Sequence, residues 1–307
     1  NTLNGNTTGN INANTVTTLT GSISALNTAY AASASTGDGI SNLGDEAITL
    51  SDTSVTDVAA LNTLNGNTTG LIDAGTNVTS FTGSISALNT MFAAAGDSGD
   101  KIDFGGTSGA ATQTVTISDT TDVSVTGLNT LNSNTTGNID ATNVTSLASA
   151  SISDIKTLLT NGNNTTNHFV ATSFQSLATV AVSGTSVSVT DLNDAIDQAN
   201  TATGGTSTVF SVASGATITT GDDAEFTALR GHESNGNIDI TDQNLTVSSG
   251  FVTVDKANLL HATTTGVVTA SIVTSETVDE LTTLSGTGNA YTIVINSRDA
   301  DAKQSTA

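Results

Sequence analysis

One seven-residue string recurs along this chain, and it limits the fold more than any other feature. Leu3-Asn-Gly-Asn-Thr-Thr-Gly9 returns unchanged at Leu64–Gly70, and at Leu131–Gly137 with Ser for the first Gly. A worn copy ends as Leu260-His-Ala-Thr-Thr-Thr-Gly266. The glycines closing the first three copies stand 61 and 67 residues apart. Self-similarity over a long period means stacked supersecondary units, each burying its apolar face on a neighbour.

The similarity continues beyond the string. After each glycine comes Ile or Val followed two residues later by Ala: Ile11/Ala13, Ile72/Ala74, Ile139/Ala141 and Val268/Ala270. A period of two predicts a strand with one buried face. The segments ending at Leu19, Phe81 and Leu147 read the same way, as do Thr114–Ile117, Val123–Val125, Val180–Val182, Val187–Val189, Val209–Val212, Leu245–Val247 and Ala290–Ile295. The period then changes. Ser22-Ile-Ser-Ala-Leu26, Ser84-Ile-Ser-Ala-Leu88 and Ser151-Ile-Ser-Asp-Ile155 place apolar residues at i and i+3 behind a capping Ser, which predicts short helices. A second helical type starts near Asp57, Asp191 and Val254. The heptapeptide itself reads as an Asn-rich surface turn closed by Gly at positive φ.

Between Gly70 and Thr136 these segments divide into coils of 17 to 27 residues. The pattern predicts a mainly-β fold, a right-handed parallel β-solenoid with short helical inserts and irregular coils of roughly 20 residues. Residues 1–170 form the regular array and 171–307 a diverged continuation.

Composition fits a narrow core. Of 307 residues, 36% are apolar and 3% aromatic, with no Pro, Cys or Trp. Without Cys there are neither disulfides nor thiolate metal sites. The net charge is −22, and the six basic residues are scattered. Phosphate binding needs clustered Lys and Arg, so nucleic acid is excluded as a partner, and no apolar run is long enough for membrane insertion. Sparse acidity suits solubility or divalent cations. The chain opens at Asn1, inside a repeat, which reads as a processed chain or a piece of something longer.

Asp97, Asp100 and Asp103 in Gly96–Gly105 are the calcium candidates, since calcium takes carboxylate and carbonyl oxygens from loops. Asp222, Asp223 and Glu225 form a second acidic cluster. With two tyrosines and little Lys or Arg beside them, neither cluster reads as a catalytic carboxylate pair, and no enzyme is expected. His168, His232 and His261 lie far apart, with His261 on a surface turn. Asn6, Asn67 and Asn134 match the glycosylation sequon, which an Asn/Thr-rich chain produces by chance. Unequal coils argue against a flat threonine array for ice.

Ala262–Ala270 and Glu280–Ile295, with the Leu-Asn-x-Leu…Thr-Thr-Gly-x-Ile-Asp-Ala unit, resemble segments of large repetitive surface proteins of marine cyanobacteria and of related phage fibres. The resemblance implies an extracellular structural or adhesive role and carries no catalytic residues. The expected function is therefore a cell-surface filament, sheath or layer built by head-to-tail self-association. An adhesin or phage-fibre module that binds cell-surface glycans is the other reading.

Overall fold

The computed structural model describes residues 1–33, 39–96, 101–105, 111–164, 168–202 and 208–295. They fall into two compact units, Asn1–Val144 with Asn161–Ser176, and Thr145–Thr160 with Leu177–Ala307. The chain opens with α1 (Thr2–Gly5), β1 (Ile11–Asn12), β2 (Thr18–Gly21) and α2 (Ile23–Ser33). β3 (Ile40–Ser41), β4 (Ala47–Leu50), β5 (Ser54–Val55) and α3 (Val58–Asn67) follow. Then come β6 (Ile72–Asp73), β7 (Ser80–Gly83), α4 (Ile85–Ala93), β8 (Ile102–Asp103), β9 (Thr114–Ile117), α5 (Val125–Asn134) and β10 (Ile139–Asp140).

The next stretch supplies β11 (Ser146–Ala150), α6 (Ile152–Asn163), β12 (Thr179–Val182), β13 (Ser186–Ser188), α7 (Val189–Ala202), β14 (Val209–Val212) and β15 (Thr217–Gly221). It closes with α8 (Asp223–Ser234), β16 (Ile238–Asp239), β17 (Asn244–Val247), α9 (Val254–Thr263), β18 (Val268–Ser271), α10 (Val278–Leu281) and β19 (Ala290–Thr292).

The first unit holds three sheets, ordered β1-β3, β2-β4-β6-β8 and β10-β9-β7-β5. The second holds β11-β12-β14-β16 and β13-β15-β17-β18-β19. Every strand pairing is parallel. Parallel neighbours need a long crossover, and helices supply many of them.

The expectation of a mainly-β solenoid fails here. Among the described residues there are ten helices and nineteen strands in five all-parallel sheets, and helical residues outnumber strand residues, so the class is mixed α/β. Three overlooked helix starts account for much of the error. Ser124 accepts from Gly127 N and opens α5 where alternation suggested a strand over Val123–Val125. Asp222 caps α8 by accepting from Ala224 N and Glu225 N. Thr277 and Glu280 form a reciprocal capping box on α10. The helices predicted behind Ser22, Ser84 and Ser151 are present as α2, α4 and α6.

The core is a set of inward columns fixed by register. Leu19, Ile48, Ile72 and Ile102 are partners across β2, β4, β6 and β8. Val55, Phe81, Val115 and Ile139 repeat this in the next sheet. In the second unit the columns are Leu147, Val180, Phe210 and Ile238, and Val187, Ile218, Leu245 and Val268. Each buried aliphatic side chain stabilises by about 1.5–3 kcal/mol relative to exposure, so many thin layers add up. Phe81, Phe92 and Phe104 thicken the first unit with ring centroids 5.3 to 6.4 Å apart.

The heptapeptide is not a turn at positive φ. Leu64–Asn67 forms the last turn of α3, and Leu131–Asn134 that of α5. The Thr-Thr-Gly that follows is a main-chain clamp. Thr68 Oγ1 accepts from Gly70 N at 3.0 Å and donates to Glu46 O at 3.1 Å. Thr135 does the same between Gly137 N and Ala111 O, and Thr264 between Gly266 N and Gln243 O. The glycine is required by contact: a Cβ at Gly70 would lie 2.1 Å from Glu46 O, and one at Gly137 1.9 Å from Gln113 O.

Asparagines tie successive helices together. Asn27 Nδ2 donates to Ala60 O, Asn62 Nδ2 to Ala87 O and Asn89 Nδ2 to Gly127 O, each at 2.9 Å. In the second unit Asn193 reaches Glu225 O on α8, and Asn258 reaches Thr283 O in the turn that follows α10. The threonine after each of the first three asparagines bonds back to the carbonyl four residues earlier.

Candidate functional site

The predicted calcium group is not assembled within the described residues. Asp97 and Asp100 lie outside them. Asp103 sits on β8, where its carboxylate accepts from Gly105 N at 2.7 Å. Its register partner on β6 is Asp73, which sequence spacing did not suggest. The Asp73 carboxylate is itself occupied by Thr76 N and Thr76 Oγ1 at 2.9 and 2.6 Å. Among the described residues no group of three or more His, Asp or Glu could hold a metal ion.

The second acidic cluster belongs to the start of α8. Asp222 is its cap, and Asp223 pairs with Lys256. The histidines are separate. His168 contributes its carbonyl to Ile139 N, and His232 Nε2 stands 3.7 Å from Asp197. His261 lies on α9 and packs against Gly286, correcting its assignment to a surface turn. Of the sequon asparagines, Asn67 and Asn134 end helices.

A trough of about 550 Å³ runs between α2 and α3, bordered by Ser24, Asn27, Ala31, Asp52, Asp57 and Ala60. Its two carboxylates are engaged as helix caps, Asp52 by Ile23 N and Asp57 by Ala60 N. Both hold orphan donors at helix N-termini, which leaves the trough without a free acid or base.

The surface that departs from the rest is at the sheet edges. Among the described residues ten strands form the edges of the five sheets. Six of them bury their core-facing residue: Val55, Ile102, Ile139, Leu147, Val187 and Ile238 are at most 4% exposed. The other four are β1, β2 and β3 in the first unit and β19 in the second. Ile11, Leu19, Ile40 and Tyr291 there are only half-buried. Beyond β19, Ile293, Val294 and Ile295 are 41%, 52% and 57% exposed. Leu3 and Val16, which flank β1, are exposed as well.

Among the described residues these edges leave main-chain groups unpaired beside apolar side chains, the arrangement that adds strands. The sequence placed a strand over Ala290–Ile295 but could not show that its core side is uncovered. No known family, curated protein or solved structure matches this chain.

Proposed function

We propose that this chain is a non-enzymatic structural protein that builds an extracellular filament, sheath or surface layer by associating with itself. One observation carries the reading. Core-facing residues are covered at six sheet edges and left open at β1–β3 and β19. Open parallel edges with apolar flanks are templates for a further strand. Support also comes from what the polar residues do. Asp52, Asp57, Asp119 and Asp222 serve as helix caps, and the ladder asparagines and clamp threonines bond to main chain. The motif resemblance to cell-surface repeat proteins points the same way and favours an extracellular setting.

The test is direct. The intact chain is purified and followed by light scattering and negative-stain microscopy as concentration rises, with and without calcium. Regular assemblies are expected, and changing Ile293 and Ile295 to Lys should abolish them while leaving the circular dichroism spectrum intact. A chain that stays monomeric at all concentrations would sink the reading.

A further inference from the structure

We propose that the outer faces of two sheets, β10-β9-β7-β5 in the first unit and β13-β15-β17-β18-β19 in the second, bind the surface of ice. The inference does not depend on self-association or on the sheet edges.

Register sets hydroxyls side by side. Val55, Phe81 and Val115 are buried in the core, so their neighbours along each strand point the other way. Ser54, Ser80 and Thr114 are partners in one outward row, and Thr82 and Thr116 in the next. In the second unit Ser186 pairs with Thr217, Ser188 with Thr219, and Thr246 with Thr269. All of these side chains are exposed or half-buried. Parallel sheets are ordinarily covered on both faces, so an open face of hydroxyls is a departure from the rule.

What the hydroxyls bond to separates these threonines from the others. On the helices Thr28, Thr63, Thr90 and Thr130 donate to the carbonyl four residues earlier. In the clamps Thr68, Thr135 and Thr264 hold strand carbonyls. Among the described residues no side-chain hydrogen bond engages Thr82, Thr114, Thr116, Thr217, Thr246 or Thr269. Each of these hydroxyls can donate once and accept twice on the outer side.

Spacing selects the occupant. Neighbouring strands stand about 4.8 Å apart, and alternate residues of one strand about 6.6 Å. The first interval is close to the oxygen repeat along the basal axis of hexagonal ice, so a row of hydroxyls meets a row of lattice waters. The threonine methyls repeat at the same interval and restrict the directions in which a bound water can turn. Unequal coils do not spoil this array, contrary to the expectation from sequence. Ser54 and Ser80 stand 26 residues apart and Ser80 and Thr114 34, yet all three are register partners. The difference in length is taken up outside the strands. No Lys, Arg or aromatic residue stands in these rows. A phosphate-bearing surface would find no cation there, and a sugar polymer no ring to stack on.

The test uses the intact chain in dilute supercooled buffer. Growing ice crystals should become faceted, and recrystallisation of fine-grained ice should slow. Thr114→Tyr with Thr116→Tyr should weaken both effects several-fold, and adding Thr246→Tyr with Thr269→Tyr should remove what is left. Tyrosine suits strands, so the circular dichroism spectrum should not change. Thr114→Lys alone, at an exposed position, should shift activity the same way without touching the core. Thr130→Tyr, an equal change on an exposed helix position, should leave activity at the wild-type level. A wild-type chain that leaves ice unfaceted and coarsening as fast as in albumin would overturn the proposal. Folded strand variants as active as the wild type would overturn it too.

Discussion

The Tyr30 hydroxyl donates to Glu46 Oε2 across 3.0 Å inside the first unit, where Glu46 is fully buried. Gly44 N donates to the same oxygen at 2.9 Å. In the following period Phe92 stands at the place of Tyr30 and Gln113 at that of Glu46, with Gln113 Nε2 donating to Phe104 O at 2.9 Å. The two periods therefore solve one buried polar position in two ways. Tyr30→Phe removes a partner from a buried carboxylate and should cost about 1–3 kcal/mol, read from urea midpoints. Adding Glu46→Gln should recover part of that loss, because an amide can donate where a carboxylate cannot. A double variant no more stable than the single one would show that the pairs are not interchangeable.

Burial, with Glu46 nearby, pushes the Tyr30 hydroxyl up to about 12. A tyrosine in the unfolded chain ionises near 10. The folded state therefore keeps a proton that the unfolded state loses. The linked stability is complete below about pH 10 and declines as pH rises towards 12. Urea midpoints across this range should fall for the wild type, and Tyr30→Phe should flatten the part of the slope owed to this residue.

Gly70→Ala and Gly137→Ala should each destabilise by several kcal/mol, since main chain occupies the space and must shift. Gly66→Ala is the control. It lies in α3 with nothing within 4 Å of an added Cβ, and should stabilise by up to about 1 kcal/mol through helix propensity. Thermal melts of the three variants give the comparison, and similar losses at all three sites would refute the close-approach account.

Lys156 on α6 reaches Asp191 Oδ1 at 2.7 Å and Asp194 Oδ2 at 2.8 Å. Hydrogen bonds to Asp191 and then Asp194 hold its pKa above the ordinary lysine value. The raised value means that its contribution is present below about pH 10.4 and is lost as pH rises through the folded pKa. The side chain is 34% exposed, so solvent screening limits the effect to under about 1 kcal/mol. Lys156→Met should lower stability slightly at neutral pH, by less in high salt.

Asp239 accepts from both Thr241 N and Thr241 Oγ1, and these bonds lower its pKa. Its contribution is present above about pH 3.9 and disappears as pH falls through the folded value. In an NMR titration its carboxyl carbon should turn at lower pH than in a Thr241→Val variant.

Strands were legible in most segments where apolar residues alternate, because period two is written in side chains. Thr114–Ile117 and Val209–Val212 fall where alternation puts them. Helices were legible where a serine precedes an i, i+3 pattern, as at Ser84. An acidic cap was legible at Asp57, but α8 was missed at Asp222, where neighbouring acids read as a cluster, and α5 at Ser124, where valines on both sides imitate a strand. That imbalance produced the mainly-β expectation. The clamp was legible as repetition but not as mechanism, since Gly70 and Glu46 are brought together only by sheet register. The open edges could not be read from local sequence at all, because Leu19 and Ile48 look alike until burial separates them.

The asparagine ladder places unequal demands on its two sides. The donor has to be a side-chain amide of the right length, and it is Asn at residues 27, 62, 89, 193 and 258. The acceptor is a backbone carbonyl that every residue owns, and it is supplied by Ala60, Ala87, Gly127, Glu225 and Thr283. Mutation can therefore rewrite the acceptor side of most of these junctions, Gly127 excepted because an added Cβ would lie 3.0 Å from the Ile85 side chain, while a single letter is held on the other. A chain constrained in this way can drift far from its own repeats and still keep neighbouring helices joined.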